Sequence, residues 1–340
     1  MSRDRNWVAR RAMRDDWLAQ TREEILEPAR EIIDTHHHFW NRGGTRYEWD
    51  ELWRDTGSGH DIRQSVVIEC ATRYRRDGPE HLKCVGETAY FAALARAARA
   101  HPARTQIGAI VAFADLADPK LDETLDAHMA AADGLVRGIR QSGAHDPEAA
   151  ILSIPGRGRP GLYQEPQFRR GVARLGARDL IYETWHYHHQ ADDFLSLARA
   201  VPETTLVLNH FGTPLGVGRF AGQRKAIFAR WQKDMEALAA CPNVVVKLGG
   251  MAMPDNGWGW QDGARPPTSD QFVEAQGKWY RHMIDLFGPS RAMFESNFPV
   301  DRVSIGYPVL WNAFKKIASA LSPAEKDALF AGTARRIYRL

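Results

Sequence analysis

From Glu31 to the end of the chain, short apolar runs alternate with longer stretches of helical spacing. Eight runs read as strands: Glu31–Thr35, Ser65–Ile68, Gln106–Phe113, Leu135–Ile139, Leu180–Trp185, Thr205–Leu208, Val244–Leu248 and Ala292–Phe294. Several are continuously apolar rather than alternating, as strands covered on both faces must be. The stretches between them read as helices. Cys84–Ala100 is rich in alanine, and Lys120–Ala132 carries Leu121, Leu125 and Met129 at helical spacing. Pro166–Leu175 opens on a proline, which a first helical turn tolerates. Asp192–Ala200, Ala221–Ala240 and Asp270–Phe287 continue the alternation, and Ser322-Pro323-Ala324-Glu325 is a capping box that starts the last helix. Eight strands alternating with helices predict an α/β fold, a closed parallel (β/α)8 TIM barrel over residues 31–340. An open doubly wound sheet is the competing architecture, but no Gly-x-Gly-x-x-Gly opens a helix after the first strand.

Residues 1–30 stand outside this alternation. They are dense in Arg, Asp and Glu, with Trp7, Val8, Trp17 and Leu18 among them, and are read as an N-terminal helical extension. Its apolar residues pack on the body of the chain or on a second subunit, which leaves a homodimer open; a solvated helix is the plainer alternative. Two connections are long. Phe39–Arg63 holds Trp40, Tyr47, Trp49 and Trp53, and Met251–Thr268 holds Trp258 and Trp260. Such connections in a compact domain are usually lids or binding loops.

Composition narrows the class. A chain of 340 residues suits one large barrel or two ordinary domains. Its 45 basic and 42 acidic residues leave a net charge of +3 with no long basic run, which argues against nucleic acid as a partner. No apolar stretch approaches the roughly 18 residues of a membrane span, and the charged first residues lack the apolar core of a signal peptide. Cys70, Cys84 and Cys241 are widely spaced, which points to a reducing cytoplasm rather than a disulfide framework. The expected partner is a small-molecule substrate.

Histidine changes the picture most. His36 and His38 lie two residues apart at the C-terminal end of the first strand, so they share a face. Two imidazoles so placed can bind one divalent metal or flank a substrate oxygen; His37 points the other way. After the fifth strand come His186, His188 and His189, of which His188 is favoured to face the barrel mouth. His210 ends the sixth strand, with Gly212 close behind, and is a candidate ligand or general acid/base. Seven of the thirteen histidines fall in these three clusters, which packing alone explains poorly. Glu69, Arg140 and Lys247 also end or interrupt apolar strands. A charge there is costly unless it is paired or at the mouth. Arg140 suits a substrate carboxylate, with an internal ion pair as the alternative for each of the three. On the eighth strand Asn297 sits at the end, and Asp301 follows four residues on.

These motifs, Asp34-Thr35-His36-His37-His38-Phe39-Trp40, Gly138-Ile139-Arg140, Trp185-His186-Tyr187-His188-His189-Gln190, Asn209-His210-Phe211-Gly212, Val246-Lys247-Leu248-Gly249-Gly250 and Phe294-Glu295-Ser296-Asn297-Phe298-Pro299-Val300-Asp301, carry a resemblance. From about Asp34 to Leu340 the chain resembles the amidohydrolase superfamily, in the amidohydrolase-related TIM-barrel group that includes sugar-lactone and pyrone-dicarboxylate lactonases. The resemblance implies a metal-dependent hydrolase. His36, His38 and His210 would hold a divalent metal, zinc first, although some lactonases of the group work without one. Many relatives carry Asp at the end of strand eight, where this chain has Asn297; a branch of the family is similar in having Ser-Asn-Phe-Pro-Val-Asp, so Asp301 is expected to take over as base. The expected catalytic set is Asp301, Asn297, His188, Arg140 and Lys247, with Trp40, Tyr47 and Glu69 binding substrate. The expected reaction is hydrolysis of a carboxylated lactone or related cyclic ester or amide. Zinc-dependent non-oxidative decarboxylation of an aromatic acid is the alternative on the same fold. A catalytically inactive barrel used for binding is the alternative from another class.

Overall fold

The computed structural model describes residues 13–42 and 45–340. Its strands are β1 (Glu31–His37), β2 (Trp40–Arg42), β3 (Thr45–Tyr47), β4 (Asp61–Ile68), β5 (Gln106–Ala112), β6 (Val136–Arg140), β7 (Ile181–Thr184), β8 (Leu206–Leu208), β9 (Val244–Leu248) and β10 (Ala292–Phe294). All eight predicted strands form and pair in parallel in the order β1-β4-β5-β6-β7-β8-β9-β10. The seam between β10 and β1 closes just past the last strand, where Asn297 N donates to His36 O at 2.9 Å and His38 N to Phe298 O at 2.8 Å. Eight strands with helices between them therefore make a (β/α)8 barrel.

The two faces of each strand serve two cores. Outward residues such as Ile110, Tyr182, Leu208 and Val246 pack beneath the surrounding helices. Inward residues Ile33, Val66, Val111, Ile181, Val207, Val245 and Met293 fill the barrel, together with Ala334, Ile337 and Tyr338 from the C-terminal helix Thr333–Tyr338. That helix is a plug at the barrel floor, and Arg137 Nε ties it down by donating to Tyr338 O at 2.8 Å.

Three elements differ from the sequence reading. The connection Phe39–Arg63 is not an open lid. It folds as the hairpin β2–β3 and a helix over Trp49–Thr56, and its aromatics are packed inward. Tyr47 is fully buried with its hydroxyl on Asp55 at 2.9 Å, and Trp49 Nε1 donates to Leu94 O at 3.1 Å. Among the described residues of the N-terminal extension, the helix is Asp15–Leu18. Beyond it the backbone finds partners on the body instead of along a helix: Leu26 N donates to Asn312 Oδ1 at 3.0 Å, and Lys315 Nζ reaches Leu26 O at 2.8 Å. Trp17 and Leu18 pack on the same chain's body, with Trp17 Nε1 on Gly263 O at 3.0 Å; Trp7 and Val8 lie outside the described residues. A helix over Tyr307–Ile317 was not anticipated; it is buried nearly all round, with the polar Asn312 and Lys315 covered along with its apolar residues. Among the described residues, no helix is long and apolar enough to cross a membrane.

Candidate active site

The site begins with the staple that closes the barrel. Asp34 Oδ1 accepts from Ser296 N at 2.8 Å and Oδ2 from the Tyr307 hydroxyl at 2.9 Å. Burial raises the Asp34 carboxyl to about 6, against the pull of the Ser296 hydrogen bonds. With this end of β1 clamped to the segment after β10, His36 and His38 point together into the mouth, their Nε2 atoms 3.2 Å apart. His38 Nδ1 lies 3.0 Å from Ile68 O, a partner that places the ring proton on Nδ1 and leaves Nε2 a bare lone pair. Burial holds both imidazoles well below their usual range, reinforced by Lys247 at His36 and by Arg140 at His38. They are neutral, the form in which histidine binds metal.

Glu295 is the residue that sequence reasoning missed. It follows β10 directly and is fully buried. Its Oε1 lies 2.6 Å from His210 Nδ1, and its Oε2 lies 2.9 Å from His36 Nδ1, the second being a close contact off the hydrogen-bond direction. Room for this arrangement comes from the glycine pair after β9. A Cβ on Gly249 would stand 2.4 Å from Glu295 Cγ, and one on Gly250, where φ is +73°, would stand 2.2 Å from His210 Nδ1. His210 itself sits at φ 54°, a strained conformation of the sort found where a side chain is aimed for function. A signal for Glu295 existed: an acid directly after an apolar strand, the rule that singled out Glu69.

His36, His210 and Glu295 offer ligand atoms within 4.8 Å of one another. Two imidazoles and a carboxylate, with His38 adjoining, form a donor set suited to a divalent transition ion. The chemistry of the site therefore fits a metal.

Two cations border the histidines, and both are paired. Lys247 Nζ donates to Glu183 Oε2 at 2.7 Å and stands 3.4 Å from His36 Nδ1. Burial lowers its pKa, opposed by Glu183 and Glu295. Arg140 donates through Nε to Glu69 Oε1 at 2.7 Å and through Nη2 to Glu69 O at 2.6 Å, leaving Nη1 3.3 Å from His36 Nε2. Arg140 and Glu69 thus form the internal ion pair, and Arg140 is not free to clamp a substrate carboxylate through both edges.

Other expected residues lie apart from this cluster. Asp301 Oδ2 accepts from Ala252 N at 3.0 Å and Oδ1 from Asn297 Nδ2 at 2.9 Å, so the pair ties the loop after β9 to the loop after β10. Burial pushes the Asp301 carboxyl well above its ordinary range. His188 is half-buried, accepts at Nδ1 from Leu215 N at 3.2 Å and packs edge-on to Phe220. Trp40 and Tyr47 belong to the core under the helices rather than to the mouth, because the β2–β3 hairpin turns them inward.

Comparison with known proteins agrees with this fold. The family model described as amidohydrolase matches residues 33–340. An uncharacterized protein of Sinorhizobium fredii is 31% identical over 91% of this chain and 98% of its own length. An L-fucono-1,5-lactonase of Burkholderia multivorans is 29% identical over 91% of this chain and 96% of its own. The crystal structure of an amidohydrolase from Burkholderia multivorans with bound zinc superposes with a TM-score of 0.70 at 27% identity, covering 91% of this chain and 99% of that one. With the barrel, the paired strand-one histidines and a match over nearly its whole length, the chain belongs to the amidohydrolase family and is a (β/α)8-barrel hydrolase.

Proposed function

We propose that the protein hydrolyses a lactone, with water attacking the ring carbonyl at the histidine cluster. The single observation that carries this reading is Glu295 lying against Nδ1 of both His36 and His210. At His210 the carboxylate accepts from Nδ1, which keeps the proton there and turns Nε2 outward as a lone pair. The Ile68 carbonyl does the same for His38. The bare Nε2 atoms of His38 and His210, with His36 beside both rings, would hold a divalent ion, zinc being the choice that the donor set and the zinc-bearing relative favour. When bound, such an ion acidifies water and polarises a carbonyl.

The chain's own groups do the rest. Glu295 fixes the tautomer and orientation of His210, lies against His36, and adds negative charge behind both rings. Arg140, held by Glu69, turns Nη1 toward His36 Nε2 and sets a donor where charge develops on the carbonyl oxygen. It meets that oxygen with one nitrogen rather than gripping a remote carboxylate with two. Lys247 supplies positive charge below the cluster.

The 2.6 Å contact between His210 and Glu295 favours a second, metal-free reading. In it His210 Nε2 takes the proton of water as a general base, and Glu295 stabilises the imidazolium that forms. The experiment is a panel of sugar and aromatic lactones assayed before and after chelation, with elemental analysis of the purified protein and a carbon dioxide assay on aromatic acids. Lactone turnover supports the reading. Carbon dioxide release without lactone turnover replaces it with the decarboxylase.

A further inference from the structure

The barrel interior holds a buried polar chain that the proposed chemistry does not use directly. It starts at the floor. Tyr338 of the C-terminal plug donates its hydroxyl to Glu183 Oε1 at 2.5 Å. Glu183, on β7, accepts from Lys247 Nζ through Oε2 at 2.7 Å. Lys247, on β9, stands 3.4 Å from His36 Nδ1, and its ammonium lies 5.5 Å over the Tyr338 ring. Tyr338, Glu183 and Lys247 are all fully buried, and their neighbours in the barrel are aliphatic. An ion pair in such a place gains little over apolar packing and is weak evidence of stabilisation. Its ammonium, however, is aimed at the ring that Glu295 also touches.

We infer that Tyr338 is a positioning residue of the active site: acting through Glu183, its hydroxyl holds the Lys247 ammonium against His36 beneath the reacting centre. Glu183 has two oxygens and serves two partners, one each. Without the phenol, Oε1 is left buried and unpaired, and the carboxylate is free to rotate and draw Lys247 down from His36. The last turn of the chain thereby acts on the opposite end of the barrel. The inference rests on the reading that the His36–His210–Glu295 cluster is the reacting centre.

The test compares Tyr338→Phe with Leu340→Ala. Leu340 packs against the same plug, close to Gly108, and its side chain has no polar atom with which to join the chain. Tyr338→Phe should lower kcat about 10-fold with KM nearly unchanged, as loss of an outer partner commonly does. It should also move the ring 15N resonances of His36 in metal-free, 15N-histidine-labelled protein while leaving those of His188 in place. Leu340→Ala should lower the melting temperature and leave both kcat and the His36 resonances unchanged. Wild-type kcat and unmoved His36 resonances in Tyr338→Phe overturn the inference, as does an equal loss of kcat in the two variants. Glu295→Gln separates the two levels. Full activity there removes the reading of the centre itself, whereas a dead Glu295→Gln beside a wild-type-like Tyr338→Phe removes only the role of Tyr338.

Discussion

Glu295 Oε1 and His210 Nδ1 meet at 2.6 Å across the gap between the eighth and sixth barrel strands, both side chains buried. A carboxylate and an imidazole 85 residues apart are thus joined into one unit. Glu295→Gln keeps the shape and removes the charge. It should lower kcat about 100-fold on any lactone the enzyme accepts, in line with losses at carboxylate partners of ligating histidines. Activity within a few-fold of wild type would place the chemistry elsewhere.

Asp301→Asn should behave in the opposite way. Its two oxygens hold a backbone N–H and the Asn297 amide, so it acts on the loops rather than on the substrate. The variant should retain kcat within a few-fold and lose about 1–3 kcal/mol of stability to the unpaired buried groups. A collapse of kcat without loss of melting temperature would restore Asp301 as the base.

Gly250→Ala tests the space behind His210. The added Cβ would stand 2.2 Å from His210 Nδ1, and φ of +73° already disfavours any side chain. Backbone strain of this kind costs about 1–3 kcal/mol. We expect a lower melting temperature together with kcat reduced more than 10-fold, because a ring displaced from its partner loses its catalytic geometry. Crystal structures of wild type and variant would show His210 moved relative to Glu295. An unmoved ring with full activity would contradict the argument.

Two histidines far from the site give a pH dependence of known sign. Burial lowers His60 to about 4, helped by Lys315, and lowers His128 to about 4 against the Phe113 carbonyl. Between about 6.5 and 4 the unfolded chain takes up protons that these rings refuse. Their contribution is complete above pH 6.5 and is lost as pH falls toward 4, on the order of 1 kcal/mol per histidine per pH unit. Asp34, raised to about 6, and Glu87, raised to about 8, act with the opposite sign, so the contrast must be made within one background. The acid-side slope of melting temperature against pH should be shallower in His128→Gln than in wild type. Equal slopes would show that His128 titrates normally in the folded protein.

Zinc or another divalent ion should co-purify at close to one equivalent, and chelation should abolish lactone turnover and lower the melting temperature through loss of linked binding. Full activity in metal-free protein would select the His210–Glu295 dyad as the base.

Period and composition determined much of this protein by themselves. All eight strands were legible, several of them because a strand covered on both faces must be continuously apolar. The His36–His38 pair was legible because alternation along a strand is local geometry. The meeting of His210 with the strand-one pair was implied by the resemblance alone, and most other relations between distant segments lay beyond reach. The inward turn of Tyr47 depends on a hairpin packing under the helices, and the partners of Arg140, Lys247 and Asp301 come from other strands and loops. Glu295 shows the division most clearly. The sequence determined that an acid follows the eighth strand; only barrel closure, by bringing that strand beside the first and opposite the sixth, decided that this acid and not Asp301 would lie against two histidines.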